Sequence, residues 1–188
     1  MDFPVHTLET ATDPGKDALA VSLKTYGSIP NIHGVMAGSP MLLRAYQVLN
    51  DLFLKTSLTR LEQHVVWLTA NYANDCTYCM AAHSAIAKMG GMNDADLAAL
   101  RSGAPLADSK LQTLRAFTAH MIAQRGWPAP EALQAMEAAG YSAETVLDVI
   151  FGIGMKTLSN YVNHVASTPL DKGFEKFAWH GQTQDLGK

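Results

Sequence analysis

Cysteine is scarce in this chain. Its 188 residues hold two, Cys76 and Cys79, too few for the disulfide framework of a small secreted domain. Charge is scarce as well: Asp, Glu, Lys and Arg make up 16% of the residues, the formal net charge is −3, and no Lys/Arg run occurs. That composition excludes the basic footprint of a nucleic-acid binder. Long apolar runs are missing too. The longest candidate, Val146 to Val165, is broken by Asp148, Lys156, Asn160, Asn163 and His164 and is too polar to span a membrane. The first residues, Met1-Asp2-Phe3-Pro4-Val5-His6, lack the basic patch and apolar core of a signal peptide, so the expected location is cytoplasmic. In a reducing compartment a lone Cys-x-x-Cys points to catalysis or metal binding rather than to a structural staple.

Strand patterns, linkers, low-complexity tracts and repeats are also absent. What is present is a 48% apolar content, enough for a filled globular core, and helix punctuation throughout. The expectation is a single all-α domain over 1–188 with short connections. Asp13-Pro14 and Ser39-Pro40 each read as an N-cap followed by proline in the first turn. They open N-terminal helices within 13–55, the first ending at Gly27 and Pro30 and the second carrying Leu42, Leu43, Tyr46, Leu49 and Phe53 on one face. Thr59-Arg60-Leu61-Glu62 is a capping box, and its helix carries Leu61, Val65, Leu68 and Tyr72. A break at Asn74-Asp75 precedes a helix from Cys76 to Met89, closed by Gly90-Gly91. Further helices lie between 93 and 166, starting near Asn93, Asp108, Pro130 and Ser142, and a tail covers 167–188.

The chemistry concentrates in Cys76-Thr77-Tyr78-Cys79-Met80-Ala81-Ala82-His83. At about 100° per helical residue, Cys76, Cys79 and His83 fall within an arc of about 60°. Both cysteines occupy a first helical turn, where free N–H groups favour thiolate. His83, at i+4 from Cys79, is placed to take its proton, which makes Cys79 the better attacking thiol and Cys76 the resolving one. Attack on a peroxide O–O bond would give a sulfenic acid, then a disulfide that an external dithiol reopens.

Other readings stay open. A Cys-x-x-Cys can also simply pack as two small apolar side chains, a reading that His83 weakens, and Cys76, Cys79, His83 and His64 have plausible zinc spacing, although three ligands on one short helix are unusual and no metal is expected. Tyr78 projects beside the stripe, either as packing on a neighbouring helix or as part of a substrate pocket. Glu62 is explained by capping, with a proton-relay role as the competing reading. A chain doubling back at Asn74-Asp75 brings His64 opposite His83, as a relay partner or as a buried neutral histidine. Gly152 and Gly154 mark either close helix contact or a kink, and Asn160, Asn163 and His164 read as surface or helix-contact residues before pocket residues.

The segments Leu58 to Thr69 and Asn74 to Ser84 resemble the AhpD-like alkylhydroperoxidase branch of the carboxymuconolactone decarboxylase family. Looser similarity extends to Pro30-Asn31, to Ser39 through Tyr46 and to Lys156 through His164. The resemblance implies an all-helical homo-oligomer, a trimer or hexamer, that reduces hydroperoxides without a bound cofactor. It also implies that Cys79 is peroxidatic, Cys76 resolving and His83 part of a proton relay with a glutamate. That glutamate usually stands twelve residues before the first cysteine, a position held here by His64, with Glu62 two residues earlier. The implied electron donor is a dithiol, by resemblance a lipoyl-bearing protein. Two alternatives accompany the peroxidase expectation: a redox-responsive assembly protein without efficient turnover, and a non-redox decarboxylase-like enzyme.

Overall fold

A computed structural model describes residues 1–182; the last six residues of the expected tail lie outside it. Nine α-helices occur among the described residues, and no strand. They are α1 (Asp13–Tyr26), α2 (Asn31–Met36), α3 (Pro40–Phe53), α4 (Arg60–Ala73), α5 (Thr77–Met89), α6 (Asp94–Ser102), α7 (Ser109–Ala123), α8 (Pro130–Ala138) and α9 (Ala143–Ala166). A 3₁₀ turn, Lys172–Phe177, follows. No helix among the described residues is long and apolar enough to cross a membrane.

Helix α4 is the axis of the fold and packs against α5, α6, α7 and α9. Every residue from Glu62 to Asn71 is buried, so the helix is enclosed on all sides rather than along one stripe. The sequence-derived face was narrower than this, and one of its members, Leu61, is exposed. The expected capping box is present: Thr59 Oγ1 accepts from Glu62 N at 3.3 Å, and Glu62 Oε2 accepts from Thr59 N at 2.8 Å. Such a cap contributes about 1 kcal/mol. It fixes the start of the helix that underlies the cysteines.

Several boundaries differ from expectation. Thr12, not Asp13, caps α1, which ends at Gly27 in the left-handed region (φ 73°) with its N–H on Leu23 O. The short helix α2 was not anticipated; six residues with a central glycine carry no readable period. Neither Asn74 nor Asp75 caps α5. Asn74 closes α4, Asp75 takes φ 51°, and Cys76 itself stands at the N-cap, so the helix proper begins one residue later than Cys76.

Helix α9 lies across α3 and α4. A Cβ added to Gly152 would stand 2.7 Å from Phe53 Cε2 and 2.8 Å from Val66 Cγ1, so this glycine permits the close crossing. Gly154 has open space around it. The crossing presses the polar C-terminal half of α9 against the start of α5.

Candidate active site

Three elements converge on the cysteines. Helix α5 supplies Cys76 at its N-cap and Cys79 in its first turn, both free thiols and both buried. Helix α9 supplies Lys156, Ser159, Asn160 and Asn163, all buried. Helix α4 supplies Trp67 and Asn71. A cavity of about 360 Å³ reaches Cys79, and Tyr46, Trp67, Tyr78, His83 and Lys156 line it too. A separate cavity of about 570 Å³, between the N-terminal segment and the end of α9, contains no thiol.

Asn163 Nδ2 donates to Cys79 Sγ at 3.1 Å and lies 3.9 Å from Cys76 Sγ. Ser159 Oγ stands 3.8 Å from Cys79 Sγ. Asn71 Nδ2 bonds the Cys79 carbonyl at 3.1 Å, and Asn160 Nδ2 bonds Asn71 Oδ1 at 3.0 Å. This amide chain ties the first turn of α5 to both α4 and α9.

The electrostatics separate the two thiols. Burial by itself would raise the Cys79 thiol. The hydrogen bond from Cys76, the Lys156 ammonium, Ser159 and Asn160 together outweigh burial and bring it below the ordinary range. Cys76 moves the other way, because its proton is held in the hydrogen bond to Cys79 and because it is buried. Burial disfavours charge on Lys156, yet Cys79, Tyr46 and Cys76 keep its ammonium form favoured. Lys156 thus favours the thiolate form of Cys79 and Cys79 the ammonium form of Lys156, while the thiol form is favoured at Cys76.

His83 does not take the place that the i+4 spacing gave it. Its Nε2 lies 2.8 Å from Lys156 Nζ, and its Nδ1 has no protein partner, so neither ring nitrogen bonds the Cys79 sulfur. Burial, then Lys156 and His64, hold its pKa well below the usual histidine value. The neutral ring accepts from the ammonium. His64 is buried and also neutral, lowered to about 4 by burial and by Arg60. The Trp67 indole stands beside both histidines, with ring centroids 6.0 Å from His64 and 4.9 Å from His83. Neither His64 nor Glu62 lines the cavity with Cys79. The Glu62 carboxylate is engaged by Thr59 N and Thr59 Oγ1, at 2.8 and 2.7 Å.

Tyr78 lines the cavity and reaches beyond it: its hydroxyl donates to Asp171 Oδ2 at 2.5 Å and accepts from Ile32 N at 3.3 Å. Among the described residues no three His, Cys, Asp or Glu side chains are placed to hold a metal ion. The zinc arrangement that spacing alone permits is therefore not assembled.

Lys156, Ser159 and Asn163 were not singled out as site residues from the sequence, and Asn163 was read as a surface or helix-contact residue. A signal existed. Lys156, Asn160 and Asn163 recur at four- and three-residue steps inside an otherwise apolar helix, the pattern of a polar stripe turned inward.

Residues 40–120 match the model of the carboxymuconolactone decarboxylase family. No curated protein matches the chain in sequence. Among solved structures, a peroxidase-related protein with an alkylhydroperoxidase AhpD core from Ralstonia eutropha JMP134 superposes with a TM-score of 0.79 at 20% identity, over 92% of this chain and 93% of that one. A peroxidase-related protein from Silicibacter sp. TM1040 gives 0.78 at 20% identity, over 93% and 92%. The debrominase Bmp8, in complex with 2,3,4-tribromopyrrole, gives 0.72 at 15% identity, over 86% and 88%. The chain thus has the AhpD-like fold, and its residues 40–120 are similar to the carboxymuconolactone decarboxylase family.

Proposed function

We propose that this protein is a thiol oxidoreductase that reduces hydroperoxides through a Cys79/Cys76 dithiol cycle. The observation that carries the reading is the buried Cys79 sulfur at a cavity, beside the Lys156 ammonium and 3.1 Å from the Asn163 amide. In the first step the Cys79 thiolate attacks one oxygen of the hydroperoxide and the O–O bond breaks. Cys79 becomes a sulfenic acid, and the departing alkoxide takes a proton from Lys156. In the second step the Cys76 sulfur attacks the Cys79 sulfur. The S–S bond forms, and hydroxide leaves with the Cys76 proton as water. Two thiols and one hydroperoxide thus give a disulfide, an alcohol and water.

His83 serves this cycle through Lys156, its neutral ring accepting from the ammonium and orienting the amine, rather than by direct contact with sulfur. His64 acts through the Trp67–His83 stack, and the Glu62 carboxylate acts only on the start of α4. Tyr78 forms part of the substrate pocket. The electron donor is a dithiol, a lipoyl-bearing protein being the kind that the resemblance suggests, and a reducing cytoplasm suits such a cycle. Exposed Met41, Val48 and Leu52 on α3, with Leu147, Ile150, Tyr161 and Val165 on α9, supply an apolar face suited to homo-oligomer contact, as a trimer or hexamer.

Thiol titration with and without one equivalent of cumene hydroperoxide tests the reading. Loss of both thiols per peroxide, abolished in Cys79→Ser and halted at sulfenic acid in Cys76→Ser, is the expected result. Undiminished peroxide consumption by the double variant would end it.

The aromatic lining, Tyr26, Tyr46, Trp67, Tyr78 and Phe174, together with the likeness to a debrominase, favours a second reading. The same dithiol would deliver two electrons to a bromoaromatic, releasing bromide and leaving hydrogen in its place. Bromide release from a bromopyrrole, coupled to disulfide formation, distinguishes it from peroxide reduction.

A further inference from the structure

One wall of the cavity beside Cys79 carries a polar chain that the thiol chemistry does not use. His33, on α2, is 4% exposed and lines the cavity. Its Nδ1 lies 2.8 Å from Ser22 Oγ, and Gln47 Nε2 donates to that hydroxyl at 2.9 Å and to Ala18 O at 2.8 Å. An amide nitrogen only donates, so Ser22 Oγ accepts from Gln47. The hydroxyl hydrogen then has two acceptors, Ala18 O at 3.4 Å and His33 Nδ1 at 2.8 Å, and the shorter contact takes it. With Nδ1 accepting, the ring carries its proton on Nε2, and burial keeps it neutral by lowering its pKa to about 4. Ser22 does not line the cavity, so Nδ1 is turned away from it. Among the described residues Nε2 has no protein partner, and it is not one of the polar atoms sealed from space. Elsewhere on the wall Lys156 faces His83, Tyr78 faces Asp171 and Trp67 Nε1 is sealed. Tyr46 stands between His33 and the thiol: its ring meets the His33 ring edge-on, centroids 5.7 Å apart, and its hydroxyl interacts with Ser159, which lies 3.8 Å from Cys79 Sγ.

We infer that His33 is a specificity-determining residue of this cavity, its Nε2–H bonding an oxygen acceptor carried by an aromatic substrate on the side opposite its reacting atom. The inference rests on the proposed reading of the cavity as the substrate pocket. The wall defines the substrate class. The rings of Tyr46, Trp67, Tyr78 and Phe174 suit a flat aromatic body, and Tyr46 sets its length, so a molecule reacting at Cys79 meets His33 with the far end of one ring. A neutral N–H suits a neutral acceptor such as a carbonyl oxygen. A substrate lacking that oxygen takes water from the N–H without pairing it, which disfavours the substrate. One neutral hydrogen bond corresponds to a preference of about threefold to tenfold in affinity.

Two probes of matched shape test it, cumyl alcohols bearing a para-acetyl or a para-isopropenyl group, titrated calorimetrically into the reduced protein. The acetyl compound is expected to bind about threefold to tenfold more tightly. The preference should vanish in His33→Phe and return in His33→Gln, whose amide restores a donor. In the unaltered protein, ¹⁵N NMR of the His33 ring should show the proton on Nε2 and a shift of that nitrogen when the acetyl probe is added. Equal binding of the two probes, a preference that survives in His33→Phe or fails to return in His33→Gln, or a proton on Nδ1 each overturns the inference; the first and last need no variant to fold. The corresponding hydroperoxides separate it from the peroxidase reading. Preferential binding of the acetyl alcohol with neither hydroperoxide consumed overturns the peroxidase reading alone, whereas consumption of both at one KM overturns the inference alone.

Discussion

Lys156 Nζ lies 2.8 Å from His83 Nε2, both residues being buried, and the same ammonium lowers the Cys79 thiol. The charged neighbour that lowers the Cys79 thiol is thus a lysine from α9, with the histidine of the motif bonded to it.

Replacing that cation should move the thiol. In Lys156→Met, loss of the ammonium removes what favours thiolate while burial remains, so the pH at which Cys79 becomes alkylatable rises. Iodoacetamide rates measured across pH 5 to 9 should shift to higher pH, with fold retained by circular dichroism. An unmoved profile would show that Lys156 does not set the thiol.

Asn163→Ala removes the 3.1 Å donor to the sulfur. A hydrogen bond to a charged group contributes about 1.5–3 kcal/mol, and each pKa unit corresponds to about 1.4 kcal/mol. The thiolate should therefore become harder to form by about one to two units, read from thiolate absorbance at 240 nm.

Glu62 separates capping from proton transfer. Thr59→Ala and Glu62→Ala should each lower stability by about 1 kcal/mol in urea titrations while leaving the alkylation profile of Cys79 in place. A changed profile in Glu62→Ala alone would return the carboxylate to the relay.

Stability should fall with acid. Burial lowers His33 and His64 from 6.5 to about 4, so in that window the unfolded chain binds protons that the folded chain does not. Unfolding free energy then rises with pH: the contribution is complete above about pH 6.5 and is lost progressively toward pH 4. Each histidine accounts for roughly 3 kcal/mol at the acid end. Urea midpoints measured from pH 7 to 4.5 should show the decline, and His33→Gln should flatten it.

The two glycines of α9 should respond in opposite directions. Gly152→Ala forces a methyl group against the fully buried Phe53, an overpacking cost of about 1–3 kcal/mol that exceeds the gain in helix propensity. Gly154→Ala meets nothing within 4 Å and should gain up to about 1 kcal/mol. Denaturant midpoints of the pair decide it.

Much of this was legible in the residues themselves. Caps, prolines and glycines marked eight of the nine helices to within one or two residues: their signals, such as Asn93 bonding Asp96 N and Ser142 bonding Thr145 N, act within a single turn. What escaped was nonlocal. That Leu61 faces solvent depends on which helices surround α4, and the partner of His83 depends on how α9 crosses α5. Helical spacing relates residues on one helix only, so it directed His83 to Cys79, while a lysine 73 residues further on took the bond. Asp171, the partner of Tyr78, is invisible for the same reason, since an Asp-Lys-Gly sequence in a tail carries no period.

The burial of Lys156 has a consequence for how electrons cross this interior. With the dithiol reduced, the site holds one negative sulfur and one positive amine; with the disulfide closed, the mechanism proposed here leaves the sulfurs uncharged and the amine without its proton. Net charge is zero in both states, so two electrons enter or leave a low-dielectric region without stranding an ion in it. In the proposed cycle each turnover is then electroneutral at the site, with the lysine acting as its internal counterion and proton store.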